Sequence, residues 1–275
     1  MASDYILVLA AVASEVQEIL DRITQPSVQM IGQMIGHGSG HGSGARSVQC
    51  GRICGMPLRI LVTGPGIVNT VQAITACVEN ARPSLMLQAG CGGGFRQLGM
   101  TNGDIAVATT EVDVHLGIET GKHNAPLQEM PFPVLEVDGK AFKENYPLDL
   151  NLADIAFLRL KAVFGPKGIG VFKGPFITGS TVTGSEERAD FLFKAFSSCI
   201  ESMEGVGAAF LSHYYQLPFL EIRCVSNMVG KRDLSRWDIS LACRRAGQAA
   251  ADVIEFLIKE QHDNPVISGL FHMSK

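Results

Sequence analysis

Short apolar runs that alternate with helical stretches are the feature of this 275-residue chain that most limits its fold. The first run extends from Tyr5 to Val12, and later runs lie at 84–88 and 218–226. Runs that are apolar at every position are typical of strands buried on both faces. Strands separated by helices predict an α/β protein. We therefore predict a single domain over residues 1–275, with a mostly parallel mixed sheet covered by helices on both sides.

Three segments fall outside this alternation. Residues from Gly36 to Gly44 contain only Gly, His and Ser, which no packed element uses, and they predict a flexible loop at about 36–46. Residues 112–150 are poorly periodic and rich in Pro and Gly, so long functional loops are expected there. The last predicted helix ends near Glu260, and a mobile tail is expected at 261–275.

The bulk composition excludes several classes of function. Apolar residues make up 46% of the chain and charged residues 18%, which supports a large core and argues against disorder. The formal net charge is -4 and no Lys/Arg-rich run occurs, so no nucleic-acid partner is expected. No apolar stretch reaches the roughly 18 residues of a membrane span, so no membrane partner is expected. Seven scattered cysteines and the lack of a basic leader predict a cytoplasmic protein with free thiols.

Residues able to do chemistry follow the apolar runs. Ligands of parallel α/β sheets bind beyond the carboxyl ends of the strands, which directs attention to four segments. These segments are Ser14-Glu15, the glycine-rich turn Gly90–Gly94, Ile200–Gly205 and Arg223–Asp233. Each has a plain structural explanation that competes with a functional one.

Glu15 and Glu204 are candidate functional carboxylates. Glu15 stands where a helix begins, so it either stabilises the positive end of the helix dipole or deprotonates water as a general base. Met203 and Glu204 stand at a junction between a strand and a helix. They are either a core Met and a helix-start Glu, or a site where Met packs on a sugar face and the carboxylate accepts two hydroxyl hydrogen bonds.

The Gly90–Gly94 turn and Asn227 add backbone and amide groups. Consecutive glycines let a ligand lie against bare backbone, but this turn matches neither a dinucleotide fingerprint nor a Walker loop. The Asn227 side chain carries both a hydrogen-bond donor and an acceptor. It either bonds its own backbone at the start of a loop or contacts a ligand.

Several of these segments together are similar to the purine nucleoside phosphorylase/nucleosidase superfamily. The matching segments are Glu201-Ser-Met-Glu-Gly205, Pro218-Phe-Leu-Glu-Ile-Arg223 and Ser226-Asn-Met-Val-Gly-Lys-Arg-Asp233, with Trp237 four residues further on. The chain resembles the methylthioadenosine/S-adenosylhomocysteine nucleosidases of that superfamily and, more closely, its futalosine hydrolases. The resemblance spans about Ile6 to Ile258 and implies a nucleoside phosphorylase-like fold.

The resemblance implies a role for each matching residue. Glu15 would activate the attacking water and Asn227 would stabilise the departing purine, so these are the two expected catalytic residues. The expected substrate-binding residues are Gly92, Gly93, Val182, Thr183, Met203 and Glu204. No metal and no organic cofactor is expected. The implied partner is a small purine nucleoside, and the implied assembly is a homodimer or a higher homo-oligomer.

The resemblance implies that the side chain at position 227 selects the purine. Adenine-cleaving nucleosidases carry Asp there, whereas Asn227 suits a 6-oxopurine, because its NH2 can donate to O6 and its carbonyl can accept from a protonated N7. Hypoxanthine is such a purine, so the resemblance implies hydrolysis of futalosine, a step of menaquinone biosynthesis. The alternatives are a methylthioadenosine/S-adenosylhomocysteine nucleosidase, a purine nucleoside phosphorylase and a non-catalytic nucleoside-binding protein.

The sequence leaves two groups of basic and acidic residues open. The loops at 31–46 and 112–150, or a partner subunit, are candidates to meet the carboxyphenyl end of futalosine, and Arg46, Arg52 and Arg96 are basic residues nearby in the sequence. Arg232 and Asp233 either fix the loop that carries Asn227 or reach the base.

Overall fold

The computed structural model describes residues 5–31, 46–121 and 127–272. Its strands are β1 Ile6–Ala10, β2 Thr24–Ile31, β3 Arg46–Ile53, β4 Met56–Val62, β5 Leu85–Gly94, β6 Ile105–Asp113, β7 Leu135–Val137, β8 Lys140–Phe142, β9 Asn145–Pro147, β10 Val171–Thr178, β11 Ile200–Ser202 and β12 Phe219–Met228. Its helices are α1 Gln17–Leu20, α2 Ile67–Asn80, α3 Leu150–Phe164, α4 Glu186–Phe196, α5 Gly205–Tyr214, α6 Ile239–Glu260 and α7 Pro265–His272. Except for Arg46, the loop predicted at 36–46 lies outside the described residues.

Strand β1 shows how the core is built. Ile6, Val8 and Ala10 pack on the side of the sheet that holds α3, α6 and α7. Leu7 and Leu9 pack on the opposite side, which holds α2 and α5. Because alternate side chains of a strand point to opposite faces, a run that is apolar throughout is buried on both. The prediction that helices cover both sides of the sheet is confirmed.

The large sheet is mixed. Its strand order is β11-β10-β6-β12-β5-β1-β4-β3-β2, and β9 also pairs with β6. Parallel pairs join β4, β1, β5 and β12, and a second parallel set joins β6, β10 and β11. Strands β12 and β6 run antiparallel, as do the β2–β3 and β3–β4 pairs at one edge. The predicted α/β class with a mixed sheet is confirmed.

Five strands of this sheet close into a ring. Strand β11 pairs antiparallel with β5 as well as parallel with β10, which completes the circuit β5-β12-β6-β10-β11. In the closing pair, Ile200 lies opposite Gly94 and Glu201 lies opposite Gly93. The closure brings the ends of β5, β11 and β12 to one place. Residues that are far apart in the chain therefore meet there.

Gly90–Gly94 form the end of β5 and not the turn that the sequence predicts. The reason is the closing strand pair. A Cβ atom on Gly92 would lie 2.6 Å from Ile200 Cγ2 and 3.0 Å from the carbonyl oxygen of Glu201. Glycine is needed at this position for the close approach of two strands. These glycines therefore allow β5 and β11 to pair closely beside the site.

Part of the tail predicted as mobile at 261–275 is a packed helix in the structure. Helix α7 follows there, and its Ile267, Leu270 and Phe271 are buried against the core formed with α3 and α6. Spacings of three and four residues place these side chains on one helix face. Residues 273–275 lie outside the described part of the chain.

The region 112–150 contains more regular structure than the sequence predicts. Strands β7 and β8 form a separate two-stranded sheet, and β9 adds an antiparallel pair to β6. Residues 122–126 lie outside the described residues. Within the described residues, no helix combines the length and the apolar character needed to cross a lipid bilayer.

Candidate active site

A cavity of about 230 Å³ lies at the end of the strand ring, where β5, β11 and β12 finish. Seven of the eight site residues predicted from the sequence line it: Glu15, Gly92, Gly93, Val182, Met203, Glu204 and Asn227. Pro65, Cys91 and Trp237 also contribute to the wall. The ring closure joins the ends of β5, β11 and β12 at this cavity, and the turn after β1 and the segment before α4 add Glu15 and Val182.

Thr183, the eighth predicted residue, does not line the cavity. It is buried, and its hydroxyl donates a hydrogen bond to the carboxylate of Glu201. Its backbone N–H donates to the same carboxylate over 3.3 Å. Thr183 therefore fixes the segment that presents Val182 to the cavity, and its contact with a substrate stays a prediction.

The Glu15 carboxylate is held by three backbone N–H groups. Its Oε2 accepts from Ala11 at 2.9 Å and from Val12 at 3.1 Å, and its Oε1 accepts from Cys91 at 2.9 Å. The side chain is only 2% exposed. A carboxylate accepts about four hydrogen bonds, so one acceptor position remains, on Oε1. The contact with Cys91 on β5 goes beyond the stabilisation of a local helix end.

Arg223 is the central residue of the site that the sequence analysis missed. It is fully buried on β12, and its Nε lies 2.8 Å from Oε1 of Glu221. Its Nη1 lies 3.3 Å from Oε2 of Glu204 and donates to the Cys91 carbonyl over 3.1 Å. Gly66 N donates to the other oxygen of Glu204 over 3.0 Å. Arg223 therefore fixes the carboxylate predicted to hold a sugar.

A signal for this ion pair was present in the sequence. Residues i and i+2 of a strand point to the same face, so Glu221 and Arg223 had to be neighbours in an otherwise apolar run. Buried charges are rare unless they are paired. An acid and a base at this spacing inside an apolar run indicate a buried ion pair.

Glu111 brings a second carboxyl group to Glu221. It is fully buried on β6, and its Oε2 accepts from the Thr178 hydroxyl at 2.6 Å. Burial and the adjacent Glu221 carboxylate raise the pKa of Glu111 well above its usual range. Glu111 therefore keeps its proton to a higher pH than an exposed glutamate does, and Arg223 is the basic group beside these two carboxyls.

Cys91 and Cys243 place two thiols beside Glu15. Cys91 lines the cavity, and Cys243 is buried on α6. A hydrogen bond from the Cys91 thiol lowers the pKa of Cys243 to about 7. The same hydrogen bond, together with burial, raises the pKa of the Cys91 thiol. The Ser14 hydroxyl lies 3.7 Å from the Cys243 sulfur. Cys243 is thus the member of the pair that ionises first.

Asn227 lies at the end of β12 with its amide oriented by two neighbours. Its Oδ1 accepts from the Ser226 hydroxyl at 2.7 Å, and its Nδ2 donates to the Met228 carbonyl at 3.2 Å. An amide has two N–H donors and two acceptor lone pairs. One donor and one acceptor of Asn227 therefore remain for a ligand.

A second cavity of about 810 Å³ borders the first, and Asn227 and Trp237 line both. Arg232 and Asp233 line only the second cavity. The Arg232 guanidinium lies 5.2 Å from the centre of the Trp237 ring, and Asp233 accepts from the backbone N–H of Ser235 at 3.2 Å. Both residues organise the loop after Asn227.

The three arginines near the long loops in the sequence bind protein groups. Arg46 donates to the carbonyl oxygen of Thr63 over 3.1 Å, and Arg52 donates to that of Gly55 over 2.5 Å. Arg96 forms an ion pair with Glu186. Recognition of the carboxyphenyl end by the loops or by a partner subunit stays a prediction.

The described geometry can be compared with known proteins. The model of a family described as the phosphorylase superfamily matches residues 5–259. The chain belongs to this superfamily. The relationship predicted from the sequence segments is thereby confirmed, and the match covers all strands of the ring.

Curated relatives of this superfamily member carry two different names. Futalosine hydrolase of Streptomyces coelicolor is 32% identical over 165 residues, which are 59% of this chain and 62% of that protein. A 5'-methylthioadenosine/S-adenosylhomocysteine nucleosidase of Bacillus cereus is 24% identical over 255 residues, which are 92% of this chain and 96% of the relative. The higher identity and the longer match therefore belong to different relatives.

Solved structures show the same fold. The nucleosidase of Neisseria meningitidis in complex with methylthio-immucillin-A superposes with a TM-score of 0.72 at 17% identity, over 92% of this chain and 99% of that one. Native futalosine hydrolase of Helicobacter pylori superposes with a TM-score of 0.71 at 17% identity, over 92% and 98%. The nucleoside phosphorylase-like fold predicted from the sequence is confirmed.

Replacing Glu111 with Gln is expected to flatten the pH dependence of stability. The folded protein releases the Glu111 proton at a higher pH than the unfolded chain does, and the unfolded chain releases it near pH 4.3. Above that pH, the free energy of unfolding therefore falls as pH rises, by up to about 1.4 kcal/mol per pH unit, until Glu111 ionises in the folded state. Gln keeps the shape and a donor without this proton. Urea unfolding at several pH values between about 5 and 8 measures the slope.

Glu136→Gln is the matched control, because Glu136 is exposed on β7. Its slope is expected to equal that of the natural protein. Equal slopes for Glu111→Gln and the natural protein would show that Glu111 is ionised in the folded state.

Gly90→Ala is expected to destabilise the site. The added Cβ would lie 2.7 Å from Arg223 Nη1 and 2.8 Å from Glu15 Oε1. Both side chains are buried and must shift, and such overpacking costs about 1–3 kcal/mol of unfolding free energy. Urea denaturation measures the loss. Gly165→Ala is the control, because a new Cβ there would meet nothing within 4 Å. Its free energy of unfolding should stay within about 1 kcal/mol of that of the natural protein. A similar loss in both variants would contradict the explanation by overpacking.

Proposed function

We propose that this chain is a futalosine hydrolase, which cleaves the N-glycosidic bond of futalosine with water and releases hypoxanthine. The broader class does not depend on the choice of substrate. The chain is a nucleosidase of the phosphorylase superfamily, an enzyme that hydrolyses N-glycosidic bonds. The observation that carries the choice of futalosine is the Asn227 amide in the cavity wall.

The free hydrogen-bonding groups of Asn227 match a 6-oxopurine. One N–H of the amide donates to O6 of hypoxanthine, and one lone pair of its carbonyl accepts from a protonated N7. An Asp carboxylate would oppose O6 with a second acceptor, which is costly in a buried site. Ser226 and Met228 hold the amide in the orientation described above, so this pattern exists before the substrate binds.

Met203 and Glu204 suit the sugar. Glu204 accepts one N–H from Gly66 and one contact from Arg223, so each carboxylate oxygen retains an acceptor position for a ribose hydroxyl. Met203 lines the same wall and supplies an apolar surface for the ring. The purine departs first and leaves an oxocarbenium-like ribosyl centre. Asn227 stabilises the purine as it accepts charge or a proton at N7.

Glu15 completes the reaction as general base. The remaining acceptor position on its Oε1 receives the attacking water, and the three backbone donors keep the carboxylate in one orientation. The water loses a proton to Glu15 as its oxygen bonds to the ribosyl carbon. This chemistry needs no cofactor. The proposal also includes the homo-oligomer that the resemblance implies.

Water is favoured over phosphate as the nucleophile. A phosphorylase needs basic groups to hold an anion, and among the described residues no Lys or Arg lines the cavity. A methylthioadenosine/S-adenosylhomocysteine nucleosidase has equal support from the relatives, and Asn227 is the observation that favours futalosine. A non-catalytic binding protein would not need a fixed carboxylate with a free acceptor position.

The test is a parallel incubation with futalosine and with methylthioadenosine in phosphate-free buffer. Chromatography follows the free base. Release of hypoxanthine from futalosine alone is expected. Release of adenine from methylthioadenosine alone would overturn the substrate and leave the nucleosidase class intact. A requirement for phosphate would overturn water as nucleophile, and no base from either substrate would favour the binding protein.

A further inference from the structure

Three metal-ligand side chains meet at and just behind the wall of the active-site cavity. Glu15 comes from the turn after β1, Cys91 from β5 and Cys243 from α6. One carboxylate oxygen and the two sulfur atoms all lie within 4.8 Å of one another. The proposed reaction uses the carboxylate and leaves both thiols without a role. We propose that these three residues form a binding site for a thiophilic divalent cation such as Zn²⁺, and that the bound ion inhibits the enzyme.

The spacing of the three ligand atoms suits a tetrahedral ion. Zinc bonds of about 2.3 Å to sulfur and about 2.1 Å to oxygen place neighbouring ligands roughly 3.5–3.8 Å apart. Atoms that already lie within 4.8 Å of one another reach this geometry through side-chain adjustments of about an ångström or less. Two sulfur ligands select thiophilic ions such as Zn²⁺ over Mg²⁺ or Ca²⁺, which prefer oxygen.

The surroundings provide orientation and charge balance. The backbone N–H groups of Ala11, Val12 and Cys91 fix the Glu15 carboxylate, as outer-shell partners of metal ligands do. Two thiolates and one carboxylate carry three negative charges. The divalent ion offsets two of these charges, and the buried Arg223 guanidinium adds a favourable electrostatic interaction with Glu15.

The ion can enter from the cavity. Glu15 and Cys91 line the cavity wall, and Cys243 is buried behind them. A tetrahedral ion bound by three protein ligands keeps its fourth position toward the cavity, where water binds. Each thiol that is protonated releases its proton to solvent as its sulfur binds the ion.

Inhibition follows from the acceptor position that the ion takes. Glu15 has one position left, on Oε1, because the backbone uses the other three. An ion bound there prevents Glu15 from accepting a proton from water. This part of the inference rests on the proposed function, whereas the binding of the ion does not.

The binding test uses Co²⁺ as a spectroscopic substitute for Zn²⁺ on the reduced full-length protein, without substrate. One equivalent is expected to give thiolate-to-cobalt charge-transfer absorption and the visible bands of a tetrahedral ion, which Zn²⁺ abolishes. Cys243→Ser and Cys91→Ser are each expected to lose at least tenfold in affinity. Cys54→Ser, at an exposed thiol outside the site, is the matched control and should bind as the natural protein does.

The inhibition test adds Zn²⁺ to the hydrolysis assay. Turnover of the natural protein is expected to fall at least tenfold and to recover with EDTA. Cys243→Ser, which does not line the cavity, should retain turnover without Zn²⁺ and resist inhibition. If hydrolysis is absent altogether, the proposed function fails while the cobalt spectra still decide the binding site.

Three results would overturn the inference. One is cobalt binding that persists in both Cys91→Ser and Cys243→Ser. Another is binding that disappears when His37 and His41, the two histidines of the Gly36–Gly44 segment, are both replaced by Ala, which would place the ion elsewhere in the chain. The third is stoichiometric Zn²⁺ binding without loss of turnover, or with faster turnover, which would refute inhibition.

Discussion

Glu15→Gln is expected to lower kcat for nucleoside hydrolysis by about 10²- to 10⁴-fold, the range typical of a lost general base. The amide cannot accept a proton from the attacking water. The NH2 group of the amide also faces backbone N–H groups. In the natural protein these groups donate to the carboxylate over 2.9–3.1 Å, and in the variant they lose this acceptor. Steady-state assays of base release measure the loss, and urea unfolding reports the accompanying change in stability.

Glu18→Gln is the control for this variant. Glu18 follows Glu15 by three residues and does not line the cavity, so its kcat should stay within about twofold of the natural value. Hypoxanthine binding, measured by calorimetry, should change little in Glu15→Gln, because Asn227 still contacts the base. Near-normal turnover by folded Glu15→Gln would falsify the assignment of Glu15 as the base.

Asn227→Asp is expected to lower kcat/KM for futalosine by at least about 100-fold, which corresponds to roughly 2.7 kcal/mol of lost transition-state stabilisation. The new carboxylate faces O6 of the purine with a second acceptor, and a buried unpaired acceptor costs about 1–3 kcal/mol or more when charged. The same change should raise adenine release from methylthioadenosine by about tenfold or more. A protonated Asp can donate to N7, and the carboxyl can also accept from the 6-amino group. Parallel assays with both nucleosides measure the two changes.

The matched control makes the same Asn-to-Asp substitution at the protein surface. Asn151→Asp lies at the exposed start of α3, and both kcat/KM values should remain within about twofold. If Asn227→Asp lowers the two activities equally, residue 227 supports the site without selecting the purine. An unchanged ratio with normal activity would place the purine elsewhere in the cavity.

Much of the fold follows from local patterns in the sequence. The apolar run at β1 is buried on both faces, and Ser185 caps α4 by accepting from the Arg188 N–H at 3.2 Å. The strand ends and the family resemblance together name eight site residues, and seven of them line one cavity. Local periodicity was sufficient for the strand and the helix start, whereas Val182 was named only through the resemblance.

The ring closure could not be predicted in this way. The pairing of Glu201 with Gly93 joins residues more than a hundred positions apart and leaves no periodic mark. Glycine also disfavours regular strands in general, which is why Gly90–Gly94 resembled a turn. Close contacts explain the glycines at the end of this strand, since a Cβ on Gly92 would clash with Ile200 and one on Gly94 would clash with Val225.

The charged core of the site was missed for a related reason. Glu111 and Glu221 come from β6 and β12, and only the antiparallel contact of these strands brings the two carboxyls together. Helix α7 is a different case. The spacing of Ile267, Leu270 and Phe271 was visible in the sequence, and it was overlooked because the segment is short and near the end.

The position of β12 in the ring has a consequence for the order of folding. It is the last of the five ring strands to be synthesised, yet it lies between β5 and β6, which precede it by more than a hundred residues. A nascent chain that ends before Phe219 has two facing strand edges with unpaired backbone groups, a known template for aggregation. It also lacks Arg223, so the buried acids have no counter-charge. Active-site assembly is therefore a late step in the folding of this enzyme. A chaperone that protects the nascent chain would have to stay bound until β12 is synthesised.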